Sequence, residues 1–226
     1  RSQVLDQLRP PAHAPEFSRV FAARTCMMAG VGLTGVFLWY LVRFWVYGKA
    51  VVLTSAPLTI PAGFLIAGMA VATLIGAALA SWAAGPISER IEEKNIPVAR
   101  VVAGACLLYA AGLALAWGLG VWSTGTAREN GMLLFALISG FAFGVYDSLG
   151  LELVMDSLPD PRRAGHDLGI YALANSAGLA LAAIIGALLV NAFEHSFGYY
   201  LLFPSAIVMV LLAGIVTLTT KSPGSK

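Results

Sequence analysis

Charge is scarce in this sequence. Only 12% of its 226 residues are Asp, Glu, Lys or Arg, about half the share of roughly 25% usual in soluble domains. Cysteine is nearly absent. Two thiols cannot build the disulfide framework of a small secreted scaffold. There is no basic run and the formal charge is +2, so no surface is offered to nucleic acid. Histidines number three, and His13, His166 and His195 all fall at or beyond the ends of apolar runs. That leaves no axial ligand for a haem inside a helix and no His-Glu-x-x-His for zinc. No Gly-x-x-x-x-Gly-Lys-Ser/Thr occurs, so the chain carries no phosphate-binding loop for ATP. An intramembrane serine protease needs Gly-x-Ser-Gly, and Leu137, Ile138, Ser139 and Gly140 lack the first glycine. The expected answer is no enzyme, no metal and no cofactor.

What the chain has in abundance is apolar sequence. Hydrophobic residues make up 58% and the mean hydropathy is +0.80, which points to a bilayer as solvent and excludes disorder. Stretches free of Asp, Glu, Lys, Arg and His cover 25–42, 50–88, 101–127, 130–146, 168–193 and 196–220. A helix needs about 20 such residues to cross a hydrocarbon core of ~30 Å. The reading is six transmembrane helices, over 24–47, 61–84, 99–122, 131–154, 167–192 and 198–219. Pro57 and Pro61 break the longest run before its helix starts. A membrane β-barrel would show alternating polarity, and runs such as 179–190 are apolar all round. The fold class is therefore an all-α polytopic bundle. Residues 1–23 read as a Pro-rich cytoplasmic linker, 24–220 as the membrane domain and 221–226 as a cytoplasmic tail. The start at Arg1 rather than Met suggests a fragment or a lost initiator stretch.

Orientation follows from the basic residues. With both termini on one side, that side collects Arg1, Arg9, Arg19, Arg24, Arg90, Lys94, Arg100, Arg162, Arg163, Lys221 and Lys226. Only Arg43, Lys49 and Arg128 remain opposite. Both termini are thus expected in the cytoplasm. Small-residue stripes mark helix faces able to approach closely: Gly76, Ala80 and Ala84; Gly140 and Gly144; and Ala174, Gly178, Ala182 and Gly186. A short likeness between 75–79 and 185–189 is compatible with two inverted triplets of helices.

Asp147 is the one acid well inside an expected span. At 1.5 Å per residue it lies ~24 Å in from Gly131, about 6 Å from the inner edge of the core. A carboxylate there costs about 2.5–3.5 kcal/mol unless paired, hydrated or protonated. It is read either as a proton- or substrate-coupling acid or as a structural hydrogen-bonded one. Tyr171, Asn175 and Tyr109 lie at similar depth as candidate partners, each also a good packing residue with a polar tip. Arg24 and Glu152 fall at one level near the inner ends, where a salt bridge and snorkelling both remain open. Arg43 is expected to snorkel outward.

The second connection holds Gly85, Ser88, Glu89 and Arg90: a glycine, then four residues later an acid and a base. This resembles the signature loop of the major facilitator superfamily, with Glu89 where the family usually has Asp. The loop also reads simply as a topogenic charge cluster. Residues 157–171, followed by Ala174, Asn175, Ser176 and Gly178, are similar to the segment joining the tenth and eleventh helices of bacterial members. Tyr146 and Asp147 fit the tenth helix, and residues 17–24 the start of the seventh. The resemblance spans the whole chain. It implies the carboxyl-terminal six-helix half of a secondary transporter that moves a small solute by symport or antiport. The amino-terminal half would be missing, and the location a bacterial inner membrane. Taken with the depths above, coupling roles are expected for Asp147, Tyr146, Asn175, Tyr171 and Tyr109, and gating or structural charge at Arg24, Glu152, Gly85, Glu89 and Arg90. A non-transporting six-helix scaffold or subunit is the alternative.

Overall fold

A computed structural model describes residues 15–47, 60–122, 126–157, 164–193 and 195–220. These residues form six long helices. Helix α1 is Pro15–Gly35, continued through Leu38–Tyr40 and a π-helical stretch, Leu41–Val46. It is followed by α2 (Ile60–Glu93), α3 (Val98–Trp122), α4 (Thr126–Ser157), α5 (Ala164–Ala192) and α6 (His195–Leu218). All six are long and apolar enough to cross a membrane, as the charge-free runs predict. The chain is an integral membrane protein of the all-α class. Lys49, Arg162, Arg163 and the ends 1–14 and 221–226 lie outside the described residues.

The two largest departures from the expected bounds have local reasons. The first helix starts at Pro15 rather than at residue 24. A proline at the head of a helix gives up an amide that would have no partner, and Glu16 beside it suits the positive end of the helix dipole. Arg19 then bonds Glu16 at 2.7 Å one turn on. The second difference concerns residues 85–93, expected as a loop. Helix α2 runs straight through them to Glu93, with Pro86 inside it. Pro86 forgoes only the bond to the Trp82 carbonyl, and Glu89, Arg90, Glu92 and Glu93 are good helix formers. The stop comes at Asn95, which adopts a left-handed φ of 50°. The Ile96 amide reaches back to the Ile91 carbonyl at 3.0 Å, closing the helix as a Schellman turn in which asparagine takes glycine's usual place.

The pairing of helices is close to symmetric. Helix α2 packs on α4 and α5 on α1, α3 packs on α4 and α6 on α1, and α3 and α6 pack on each other, while α1 and α4 touch sparingly. Exchanging α1–α3 for α4–α6 maps this pattern on itself, except that α5 also leans on α6. Three crossings separate α1 from α4, so the two triplets run in opposite senses, as inverted repeats do. The small-residue stripes make the corresponding contacts. A Cβ on Gly76 would run into the Leu137 carbonyl of α4, and one on Gly140 into the Thr73 carbonyl of α2. In the other triplet a Cβ on Gly178 would lie 2.7 Å from the Thr25 carbonyl of α1, and one on Gly32 2.7 Å from Ala182. Gly186, matched with Gly76 by the short likeness, takes the Phe37 ring.

These contacts predict where the bundle tolerates bulk. Gly140→Leu should lower the unfolding midpoint in detergent, by the roughly 1–3 kcal/mol typical of overpacking. Gly104, exposed on α3 with nothing near its Cβ position, should accept alanine without loss. Equal midpoints for the two variants in thermal unfolding would contradict the packing described.

Candidate functional site

The polar centre of the bundle is built on Arg24. It sits about 14 Å along α1, while Asp147 lies about 15 Å from the end of α4 and Asn175 about 16 Å along α5, so the alternating helices bring all three to one level. Arg24 Nη1 donates to Asp147 Oδ1 at 2.7 Å, and Nε donates to Asn175 Oδ1 at 2.7 Å. The guanidinium carbon stands 5.6 Å from the Phe143 ring centre and 5.7 Å from those of Tyr146 and Tyr171. These are cation–π distances. A charge that the side chain cannot shed is thus answered on its edges by a carboxylate and an amide, and around them by aromatic rings.

Exposure within the pair is lopsided. The Arg24 side chain is 9% exposed and that of Asp147 is 56% exposed. The sequence leaves Asp147 paired, hydrated or protonated, with Gly140 and Gly144 on its face of α4. The glycines do meet protein, at Thr73 and Ala80 of α2. Asp147 itself is neither buried nor alone. It opens from the seam between α1 and α4 and is bound from behind by arginine.

Of the residues singled out in the sequence, Asp147, Tyr146, Tyr171, Asn175 and Arg24 come together. Arg24 pairs with Asp147, one turn and a half deeper than Glu152, the partner expected from level alone; Glu152 is exposed near the end of α4. Tyr109 stands apart. It is buried on α3, where its ring meets Phe135 edge-on at 6.0 Å. Gly85, Glu89 and Arg90 lie exposed on the last turns of α2. Phe143 was missed by the sequence reading. The only signal for it is its position four residues before Asp147 on the same helix face.

Apolar layers bracket the centre. On the side of the chain termini, Val20, Ala99, Leu153 and Val154 form a small buried cluster with Leu168 and Tyr171 against it. Arg19 also donates there to the Thr219 carbonyl at 3.2 Å, joining the start of α1 to the end of α6. On the other side Trp45 packs edge-on to Tyr200 at 4.0 Å and fills the space left by Gly120. Arg128 donates to the Trp45 carbonyl at 3.1 Å. Desolvation, and then the Glu129 carboxylate that takes its hydrogen bond, push the Tyr47 phenol up to about 12. Arg43 does not simply reach outward; it lies over the Trp39 and Phe44 rings, at 5.1 and 5.7 Å. Among the described residues no three His, Cys, Asp or Glu gather as a metal site requires.

Six apolar spans around a polar centre between helices define a polytopic membrane protein. The family model described as Major Facilitator Superfamily matches residues 62–226, well over half of the chain, and the chain belongs to that superfamily. Membership points to a transporter and not to an enzyme. No curated protein and no solved structure matches the chain.

The Arg24 centre makes an energetic prediction. Asp147→Ala should destabilise the bundle by about 1–3 kcal/mol, because it strands a buried guanidinium. Asp147→Asn should lose less, since its carbonyl still accepts from Nη1. Arg24→Met combined with Asp147→Ala should cost less than the sum of the two single changes. Strict additivity in a double-mutant cycle of unfolding free energies would show that the pair is not coupled.

Proposed function

We propose that this chain is the carboxyl-terminal half of a secondary active transporter, moving a small solute by alternating access against a second six-helix half. The observation that carries this reading is the open carboxylate of Asp147. A charge at mid-helix facing lipid costs at least about 2.5–3.5 kcal/mol, so the α1–α4 seam is a surface for water or protein. Its surroundings are mixed. Ser148, Glu152 and Ser176 are exposed on α4 and α5, among apolar neighbours such as Leu151 and Leu173. An open charge on an otherwise apolar wall is what half of an enclosure would present.

In this reading Asp147 and Asn175, with Tyr146 and Tyr171, line the solute path, and Arg24 holds them in place. Tyr109 acts through the packing of α3. Gly85, Glu89 and Arg90 at the tip of α2, with Glu152 on α4, form the charged inner rim. Both termini lie in the cytoplasm of a bacterial cell, the drive is symport or antiport, and the partners are the bilayer, the solute and the other half.

The reading frame upstream of Arg1 is therefore expected to encode six further apolar spans. With Cys26 and Cys106 replaced, a cysteine at Arg128 should react with an impermeant maleimide applied to intact cells, and one at Lys94 should not. The 226-residue chain alone, reconstituted into liposomes, should give no solute flux. Saturable gradient-driven uptake by the chain alone, or labelling at Lys94, would sink the proposal.

A further inference from the structure

The Arg24 pair is neutral as a whole but has a direction. Its positive end is packed beneath three rings and its negative end faces out. Asp147 Oδ1 is taken by Arg24, and Oδ2 has no protein donor among the described residues. Asn175 is fixed by the same guanidinium. Nε–H can only donate, so the atom it meets at 2.7 Å is the amide oxygen, and the amide nitrogen with its two donors is turned away. Arg24 is thus a positioning residue that aims both groups.

We infer that the solute taken at this centre is an organic cation, bound at the free oxygen of Asp147. This rests on the transporter reading above and adds the solute's chemical class. A cation meets the carboxylate first and adds to its interactions. An anion meets that same carboxylate and is repelled, and it reaches the guanidinium only by stripping Asp147 from it, which leaves the acid unpaired. Phe143 and Tyr171 already carry Arg24 over their rings, but each is only half-buried, and the part left exposed gives an organic body apolar surface to pack on. Among the described residues the next acid along α4 is Glu152, five residues on, one turn and a half from Asp147.

The test is protection of Asp147 from a water-soluble carbodiimide, read by mass spectrometry on membranes containing the product of the complete reading frame. Benzyltrimethylammonium is the probe, and benzenesulfonate and benzyl alcohol are its anionic and neutral counterparts. None of the three is consumed by the reagent. Modification of Asp147 should slow about tenfold when the cation is at about ten times its half-protecting concentration, by simple mass action, while the counterparts leave the rate unchanged. Asp147→Asn should abolish the adduct on that peptide, which identifies the site. Protection by benzenesulfonate as strong as by the cation, or no protection by the cation, overturns the cation class and leaves the transporter reading standing. If Asp147 is not modified but a cysteine at Ser176 reacts with a charged methanethiosulfonate, the carboxylate is not open, and this inference fails together with the observation that carries the transporter reading. If neither position is reached from water, the face is dry and the transporter reading fails with it.

Discussion

A guanidinium inside a membrane-spanning bundle has to remain charged, because no pH reached by a protein deprotonates it. Arg24 therefore sets a constraint that neighbouring helices must meet in place of water. Helix α4 supplies a carboxylate, α5 an amide oxygen, and α4 and α5 together three rings. The α4 groups come from about one turn, 143–147, and the α5 groups from another, 171–175, so the level of α1 against α4 and of α1 against α5 is fixed wherever the centre forms. A shift of one residue along either helix would move an acceptor by about 1.5 Å, which is enough to break a hydrogen bond of 2.7 Å. The pair does little for the burial of apolar area. Its contribution is register.

Glycine sets the rest of the geometry. Where α2 meets α4 and α5 meets α1, backbone lies against backbone, at Gly76 and Gly140 in one case and Gly178 in the other. In lipid no hydrophobic force drives helices together, so close van der Waals approach must do it. The two contacts are related by the exchange of triplets, and so are the pairings of α3 with α4 and α6 with α1. The exception to tight packing is the seam between α1 and α4. There the polar centre lies between the large apolar core and the small cluster around Val20 and Val154.

The helices could be read from the sequence because the bilayer imposes length on apolar runs, and six runs of adequate length leave few alternatives. Asp147 could be read because one acid in an apolar run stands out. The pairing of Arg24 could not. Level along the helix, which sequence gives, put Glu152 opposite Arg24, and the choice of Asp147 depends on how α1 and α4 are rotated, which only the packing fixes. Tyr109 has a similar depth, but α3 turns it towards Phe135. The charged stretch 85–93 looked like a loop because glycine and proline open it. Its helix survives because one missing amide at Pro86 is a local loss, and the residues after it favour helix.

Rigidity and access are divided between the two kinds of contact. Interfaces in which a glycine meets a backbone carbonyl have one good arrangement, since any sliding brings the next side chain into the gap. They bind α2 to α4 and α5 to α1 as units. The α1–α4 seam is held instead by an ion pair and rings whose partners can be exchanged for water or for a bound charge without opening a void. In the half-transporter proposed above, this would be a workable division. Packing would define the body, and the seam where charge replaces packing is the face proposed for the path. The exposure of the pair follows from the same division. The partner that cannot lose its charge is buried where helices shield it, and the partner that can exchange ligands is left at the surface.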